Sequence, residues 1–255
     1  MQTTERCEEN LFSRPLSTTC LIIGVLNEGE RITKQLEALQ PYRNIIDIII
    51  ADGGSTDGAT SPETLKDKVS VWLVVKGRGL SSQYHAAIQF ALKAGYQSCI
   101  FMDGNGKDGV DGIPTFVAEL QQGYDFLQGS RFMRGGTHKN TPALRWFAIR
   151  LVAAPLFWLA CRFYYTDAMN GFKACSRRFL EHEKLGIGRD IFEGYTLQYY
   201  MNYAAPRLGM KIKEIPVQRS YPASGPLVSK IKGVRNYTRV LWQLLKVLAG
   251  RYNVR

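Results

Sequence analysis

Thr19-Cys20-Leu21-Ile22-Ile23-Gly24-Val25 is a continuous apolar run of the length and kind of a buried strand. A helical polar–apolar pattern follows over 28–39, and Ile45-Ile46-Asp47-Ile48-Ile49-Ile50-Ala51 is a second run of the same type. Strand, helix and strand in that order predict a mainly parallel sheet covered by helices. Working outward, the third, fourth and fifth strands are expected at 71–75, 98–102 and 124–128, with helices at 81–94 and 113–121. Beyond Gly135-Gly136 the pattern predicts a long apolar helix over 143–163, another over 191–204, a strand over 211–217, a Pro/Gly loop at 221–225 and a last helix over 230–248.

The chain has 255 residues, 45% hydrophobic and 22% charged, which is globular composition and leaves room for a sizeable core. Its net charge is +11, but from Arg207 onward eleven basic residues face the single acid Glu214. The basicity therefore belongs to the C-terminal segment and implies an anionic partner there. On a helical wheel Lys232, Arg235, Arg239 and Lys246 share a face with Asn236 and Gln243, opposite Ile231, Val234, Leu241, Leu245 and Leu248. The five cysteines have no CxxC pair, which suggests neither a disulfide framework nor a zinc site. His85, His138 and His182 are scattered without ligand spacing. The polar start does not resemble a signal peptide, and the uncharged apolar run 151–161 is well short of the ~20 residues that span a bilayer. No membrane-crossing segment is expected.

Ligands of open α/β sheets bind at the carboxyl ends of the strands, and polar residues collect there. The first strand leads into Asn27-Glu28, the second into Asp52-Gly53-Gly54-Ser55-Thr56-Asp57-Gly58, and the fourth into Asp103-Gly104-Asn105-Gly106-Lys107-Asp108. Each alone is a serviceable turn, since Asp, Gly and Ser favour turns for local reasons. Together they suit a diphosphate, whose charge an acidic, glycine-rich turn neutralises by holding Mg²⁺ or Mn²⁺. There is no GxxxxGK[ST] loop, and Gly77-Arg78-Gly79 lacks the GxGxxG spacing, which disfavours kinase-type and dinucleotide-type cradles.

In this order the segments resemble the family 2 glycosyltransferases of GT-A fold, and more closely their polyprenyl-phosphate (dolichol-phosphate mannosyltransferase-like) branch. Supporting segments are 77–83, Gln128-Gly129-Ser130-Arg131-Phe132, Thr166-Asp167-Ala168-Met169-Asn170-Gly171-Phe172-Lys173, and Glu214-Ile215-Pro216-Val217 leading to Ser229-Lys230. The resemblance runs from about residue 19 to about 232. It implies an α/β GT-A domain over 17–229, preceded by a polar tail (1–16) and followed by a basic amphipathic helix and tail (230–255). It also implies transfer of a sugar, with inversion, from a nucleotide diphospho-sugar to a polyprenyl phosphate, by an enzyme lying on the cytoplasmic face of an anionic membrane.

The same resemblance assigns residues. Asn27, Glu28, Asp52 and Asp57 match positions that hold the nucleotide base and ribose, with Ser55 and Arg78 beside them in the donor site. Asp103 and Asn105 stand at the two ends of an Asp-x-Asp motif that binds the metal and the sugar diphosphate. Arg131 and Arg145 are placed like arginines that meet an acceptor phosphate, and Arg219, Ser229 and Lys230 lie in the region that closes over the donor. Asp167 is the first candidate for a base or for orienting an acceptor-site arginine, ahead of Asp190 and Glu193. Where relatives commonly read Asp-x-Asp-Gly-Gln, this chain has Asn105 and Lys107. That departure predicts weaker metal binding, with Lys107 reaching the diphosphate; in the alternative, Lys107 faces solvent and Asp108 restores the lost carboxylate.

Two other functions remain open from sequence: a glycan-extending transferase with a carboxylate base, and a non-catalytic nucleotide-sugar-binding scaffold. Nucleic acid is disfavoured, because no RNP strand, zinc finger or helix-turn-helix signature is present. The aromatics in and around the long helix are expected mainly in the core, the alternative being an apolar groove or a membrane-facing surface.

Overall fold

The computed structural model describes residues 7–76, 79–222 and 233–254. The opening apolar run is β2 (Thr19–Val25), buried at every residue. It lies parallel between β3 (Asp47–Asp52) and β5 (Ser98–Asp103), and β4 (Val71–Val75) pairs parallel with β3. Alternate residues of β2 feed two cores. Cys20 and Ile22 join the core under α3 (Leu80–Lys93), whereas Leu21, Ile23 and Val25 join the core under α1 (Glu30–Leu39) and α4 (Ile113–Gln121). The short α2 (Pro62–Leu65) starts at a Ser61–Thr64 capping box and closes the loop after β3.

The sheet has eight strands in the order β1-β4-β3-β2-β5-β8-β6-β9, with β6 at Phe126–Ser130 and β9 at Ile212–Pro216. Only β1 (Cys7–Leu11) and β8 (Lys173–Ser176) run against the rest. Two of these elements differ from the sequence reading. The polar stretch expected as part of a tail supplies β1, which pairs with the open edge of β4 through backbone groups that need no apolar side chains. The second, β8, is four residues long, too short for periodicity to register, and is followed by α7 (Arg177–Leu180). A small parallel pair, β7 (Thr137–Lys139) and β10 (Gln218–Ser220), stands beside the strand ends.

The long helix is built in three parts: α5 (Ala143–Phe147), a π-helical turn (Ala148–Ala153) and α6 (Ala154–Cys161). The N–H of Ala154 donates to the carbonyl of Ile149, five residues back, just before Pro155, which has no N–H to give. As one helix, Ala143–Cys161 is long and apolar enough to cross a membrane by length and composition, with a mean hydropathy of 1.5 and 28% of the window buried. The sequence expectation of no such segment counted only the uncharged run and stopped at Arg150. Its inner face, including Ile149, Ala153 and Phe157, packs toward α8 (Thr196–Arg207) and α9 (Gly233–Leu248). The helix expected at 191–204 thus begins later, at Thr196.

The aromatics divide. Phe157 and Tyr165 are buried in the core, but Trp146, Phe147, Trp158 and Tyr164 are exposed. The wheel for the last helix also needs correction: α9 buries Leu244 and Val247, while Leu241, Trp242 and Leu245 are exposed, with Arg239 and Lys246 nearby. The stripe selected by the core is rotated toward the polar side, which a wheel without tertiary contacts could not reveal.

Candidate active site

Parallel pairing sets the strand ends side by side: Val25 opposes Asp52 and Gly24 opposes Asp103. β2 is the point where the chain turns from one half of the sheet to the other, so a crevice opens above it. Asn27 adopts a left-handed backbone (φ 52°), and its side-chain oxygen accepts from Thr56 N–H (2.8 Å) while its own N–H donates to Ser55 Oγ (3.0 Å). Asp57 accepts from Gly29 N–H (2.7 Å). These bonds tie the first and second strand-end loops into one platform. Asp52 lies underneath: Oδ1 accepts from the N–H groups of Gly54 and Ser55 and from Ser55 Oγ, and Oδ2 accepts from Thr60 Oγ1. Buried and fully engaged, it shapes the loop. Glu28 reaches the crevice and pairs with Arg31 at 2.9 Å. The glycines here seat side chains: a Cβ on Gly53 would stand 2.2 Å from Gln83 Nε2, and Gln83 donates to the Val25 carbonyl at 3.0 Å.

At the end of β5, one guanidinium joins two carboxylates. Arg219 Nη2 donates to Asp103 Oδ2 at 3.0 Å, and its Nη1 donates to Asp108 Oδ2. Burial pushes the Asp103 carboxyl up, but Arg219 and then Lys107 outweigh it and hold it below its ordinary range. For Asp108, burial prevails over Arg219 and the shift is upward. Lys107 is 7% exposed and lines the cavity, its Nζ 5.3 Å from the Tyr221 ring centre. So Lys107 does not face solvent, and Asp108 is paired with Arg219. Asn105 turns its amide toward Asp103 Oδ2 (3.4 Å) and accepts from Lys107 N–H (3.3 Å).

In this arrangement the carboxylate expected to hold a divalent ion carries a guanidinium. Asp103 carries the Arg219 guanidinium, Asn105 offers an amide oxygen, Lys107 adds an ammonium, and Asp108 keeps its Oδ1 buried and without a hydrogen-bond partner among the described residues. Hard cations need several oxygen ligands with their charge available. Among the described residues no cluster of three or more His, Cys, Asp or Glu is placed to hold a metal. The expectation of a metal held by Asp103 and Asn105 thus meets a carboxylate that is paired with Arg219 here.

The opposite wall is built around Arg131 and Asp167, both buried. Arg131 donates from Nε to Asp167 Oδ2 (2.6 Å) and from Nη2 to Oδ1 (2.8 Å), and its backbone N–H also reaches Oδ2 (3.2 Å). With both oxygens on one guanidinium, Asp167 orients Arg131 and is not placed as a base. The turn that carries it is held from both sides. Glu214 accepts from Thr166 N–H and Asp167 N–H, while Gln128 Nε2 donates to the carbonyls of Asp167 and Asn170. Gly171 completes the turn, since a Cβ there would stand 2.8 Å from Asp103 Oδ1.

Arg131 Nη1 and Arg145 Nη1 both donate to the hydroxyl of Tyr221, at 3.3 and 3.1 Å. Burial would push this phenol up, but Arg219, Arg131 and Arg145 overcome it and bring it down to about 8. Tyr221 entered the sequence reading only as the first residue of a loop, and its signal was weak: a single tyrosine two positions after Arg219. Asp190 and Glu193 are exposed and do not line the cavity, although Gly194 and Tyr195 do. Arg78, Ser229 and Lys230 lie outside the described residues.

The cavity these groups share has a volume of about 710 Å³. Among the described residues that line it, five are cationic (Arg31, Lys107, Arg131, Arg145, Arg219) and two are acidic (Glu28, Asp103). Both acids are ion-paired. One wall is apolar, supplied by Ile149, Val152 and Ala153 of the long helix and Val240, Leu241 and Leu244 of α9. The lining thus combines a cluster of cations with an apolar wall.

The chain is 28% identical over 235 residues to polyprenol monophosphomannose synthase of Mycolicibacterium smegmatis, covering 89% of this chain and 85% of that protein. It is 27% identical over 202 residues to undecaprenyl-phosphate mannosyltransferase of Micrococcus luteus, covering 77% and 81%. The fold matches glucosyl-3-phosphoglycerate synthase of Mycobacterium tuberculosis, solved with Mn²⁺, UDP and phosphoglyceric acid, at a TM-score of 0.66 and 17% identity over 93% of this chain and 79% of that one. The sequence pattern described as Glycosyl transferase family 2 covers residues 20–182. The α/β sheet, the strand-end loops and that match together establish that the chain belongs to glycosyl transferase family 2.

Proposed function

We propose that the protein transfers a sugar from a nucleotide diphospho-sugar to a polyprenyl phosphate at a membrane surface. The observation that carries this reading is the pairing of Arg131 and Arg145 on one point, the Tyr221 hydroxyl, at the mouth of an apolar wall. A phosphate needs the two guanidiniums, and an isoprenoid tail needs the wall. The donor occupies the crevice over Asn27, Glu28, Asp57 and Asp103.

In the reaction, a phosphate oxygen of the acceptor attacks the sugar's anomeric carbon. The new C–O bond forms as the bond to the donor diphosphate breaks, and the electron pair leaves on the β-phosphate oxygen. No proton has to move, because the acceptor is already an anion near neutral pH. A hydroxyl acceptor would instead need a free carboxylate within reach, and both acids lining the cavity are ion-paired. Arg131 and Arg145 position the nucleophile, and Asp167 positions Arg131. A single displacement of this kind inverts the anomeric configuration.

The outer surface suits a membrane. Leu144, Phe147, Leu151, Trp158 and Leu159 of the long helix are exposed, as are Trp242 and Leu245 of α9, with Arg239 and Lys246 beside them. Apolar and basic side chains on two neighbouring helices match an interface between acyl chains and anionic headgroups. The test is an acceptor panel: a polyprenyl phosphate, the matching polyprenol and a soluble saccharide, each with labelled nucleotide sugars. Label on the lipid phosphate alone supports the reading; label on the saccharide alone refutes it.

A further inference from the structure

We propose that Lys107 and Arg219 neutralise the donor diphosphate in place of a divalent ion, so that donor binding in this chain is independent of metal. The inference rests on the nucleotide-sugar reading and concerns the same site.

Beside Asp103, Asn105 contributes a neutral amide and Lys107 an ammonium, neither of which supplies the negative charge that holds a divalent ion. The geometry puts cationic charge in the cavity: Lys107 is 7% exposed, and Arg219 stands between Asp103 and Asp108 with one nitrogen on each. A divalent ion added to Asp103 would meet a guanidinium already on that carboxylate and an ammonium near it, with two acidic groups to offset the total. The two cations cancel the two carboxylates, so the site holds no net attraction for the ion. A diphosphate reverses the balance, because its oxygens accept from Arg219 and Lys107 directly. As the sugar leaves, negative charge grows on the β-phosphate oxygen, and a fixed ammonium stabilises it without reorganisation. The rival arrangement is a metal held by Asp103 and the Oδ1 of Asp108, which is buried and without a hydrogen-bond partner among the described residues.

The full chain is titrated by calorimetry with UDP, GDP, CDP and dTDP, in excess chelator and with Mn²⁺, and Mn²⁺ alone is titrated by electron paramagnetic resonance. One nucleotide is expected to bind in chelator within about threefold of its affinity in Mn²⁺. Lys107→Ala should weaken binding in chelator by about tenfold or more, the scale of one charge-assisted hydrogen bond, whereas Lys107→Arg retains it. The Asn105→Asp/Lys107→Gln double variant should gain Mn²⁺ binding and become metal-dependent. Binding that appears only with Mn²⁺ in the wild type, or survives Lys107→Ala unchanged, overturns the proposal and leaves the nucleotide reading intact. Absence of binding by every nucleotide under both conditions overturns both. Thermal melts of each variant separate loss of binding from loss of fold.

Discussion

Replacing Asp167 by Asn keeps the shape of the side chain and removes its charge. Arg131 is then left buried with one carbonyl oxygen where it had two carboxylate oxygens, at 2.6 and 2.8 Å, and one of its N–H groups faces an amide N–H₂. Breaking a buried ion pair from one side costs about 3–5 kcal/mol. The surviving oxygen places this variant near the lower end, at about 3 kcal/mol. For a chain of this size a loss of 1 kcal/mol lowers Tm by about 2–4 °C, so a fall of roughly 6–12 °C is expected in a thermal melt followed by circular dichroism. The functional effect should be selective: the acceptor KM rises because Arg131 is no longer held against Tyr221 and Arg145, while nucleotide affinity stays near wild type. The Arg131→Met/Asp167→Leu double variant should melt higher than Asp167→Asn, since it leaves no unpaired charge, and still fail to use the acceptor. A melt within about 2 °C of wild type together with an unchanged acceptor KM would refute the reasoning.

Tyr221→Phe removes the hydroxyl that Arg131 and Arg145 share. Because the folded phenol ionises near 8, below its ordinary 10, it contributes stability that is fully present above pH 10 and is lost as pH falls through 8. The wild type should therefore gain stability over Tyr221→Phe as pH rises from 8 to 10, and absorbance at ultraviolet wavelengths should show a phenol titrating near 8 that the variant lacks. Gly171→Ala would set a Cβ 2.8 Å from Asp103 Oδ1, and nucleotide binding by calorimetry should weaken by about tenfold as Asp103 and Arg219 are displaced. Leu144→Glu with Trp242→Glu places two acids on the outer apolar face, where the side chains are 65% and 58% exposed. Sedimentation with anionic vesicles should show binding reduced by about tenfold or more, with nucleotide affinity unaffected.

Much of the parallel half of the sheet was legible because its strands read as unbroken apolar runs; 19–25, buried on both faces, and 71–75, buried on one and half-buried on the other, were placed to the residue. The polar strand ends were legible as well, since strand order fixes where they meet. What stayed hidden depended on partners distant in sequence. β1 is polar and held by backbone bonds to β4, so it left no apolar signal. Asp167 looked equally suited to be a base or an anchor until its two oxygens were found on Arg131. The bridge from Arg219 to Asp103 and Asp108 joins residues more than a hundred positions apart, and the place of Tyr221 among the arginines depends on the same loop. The outward face of α9 was misread because its buried stripe is chosen by the helices it packs against.

The most direct measurement is mass spectrometry of the lipids recovered after incubating the purified chain with polyprenyl phosphate in anionic vesicles and a panel of nucleotide sugars. The account predicts a lipid product heavier than the polyprenyl phosphate by one sugar residue, formed from one donor and absent when polyprenol replaces the phosphate. Transfer to polyprenol as readily as to its phosphate, or no transfer from any donor, would contradict it.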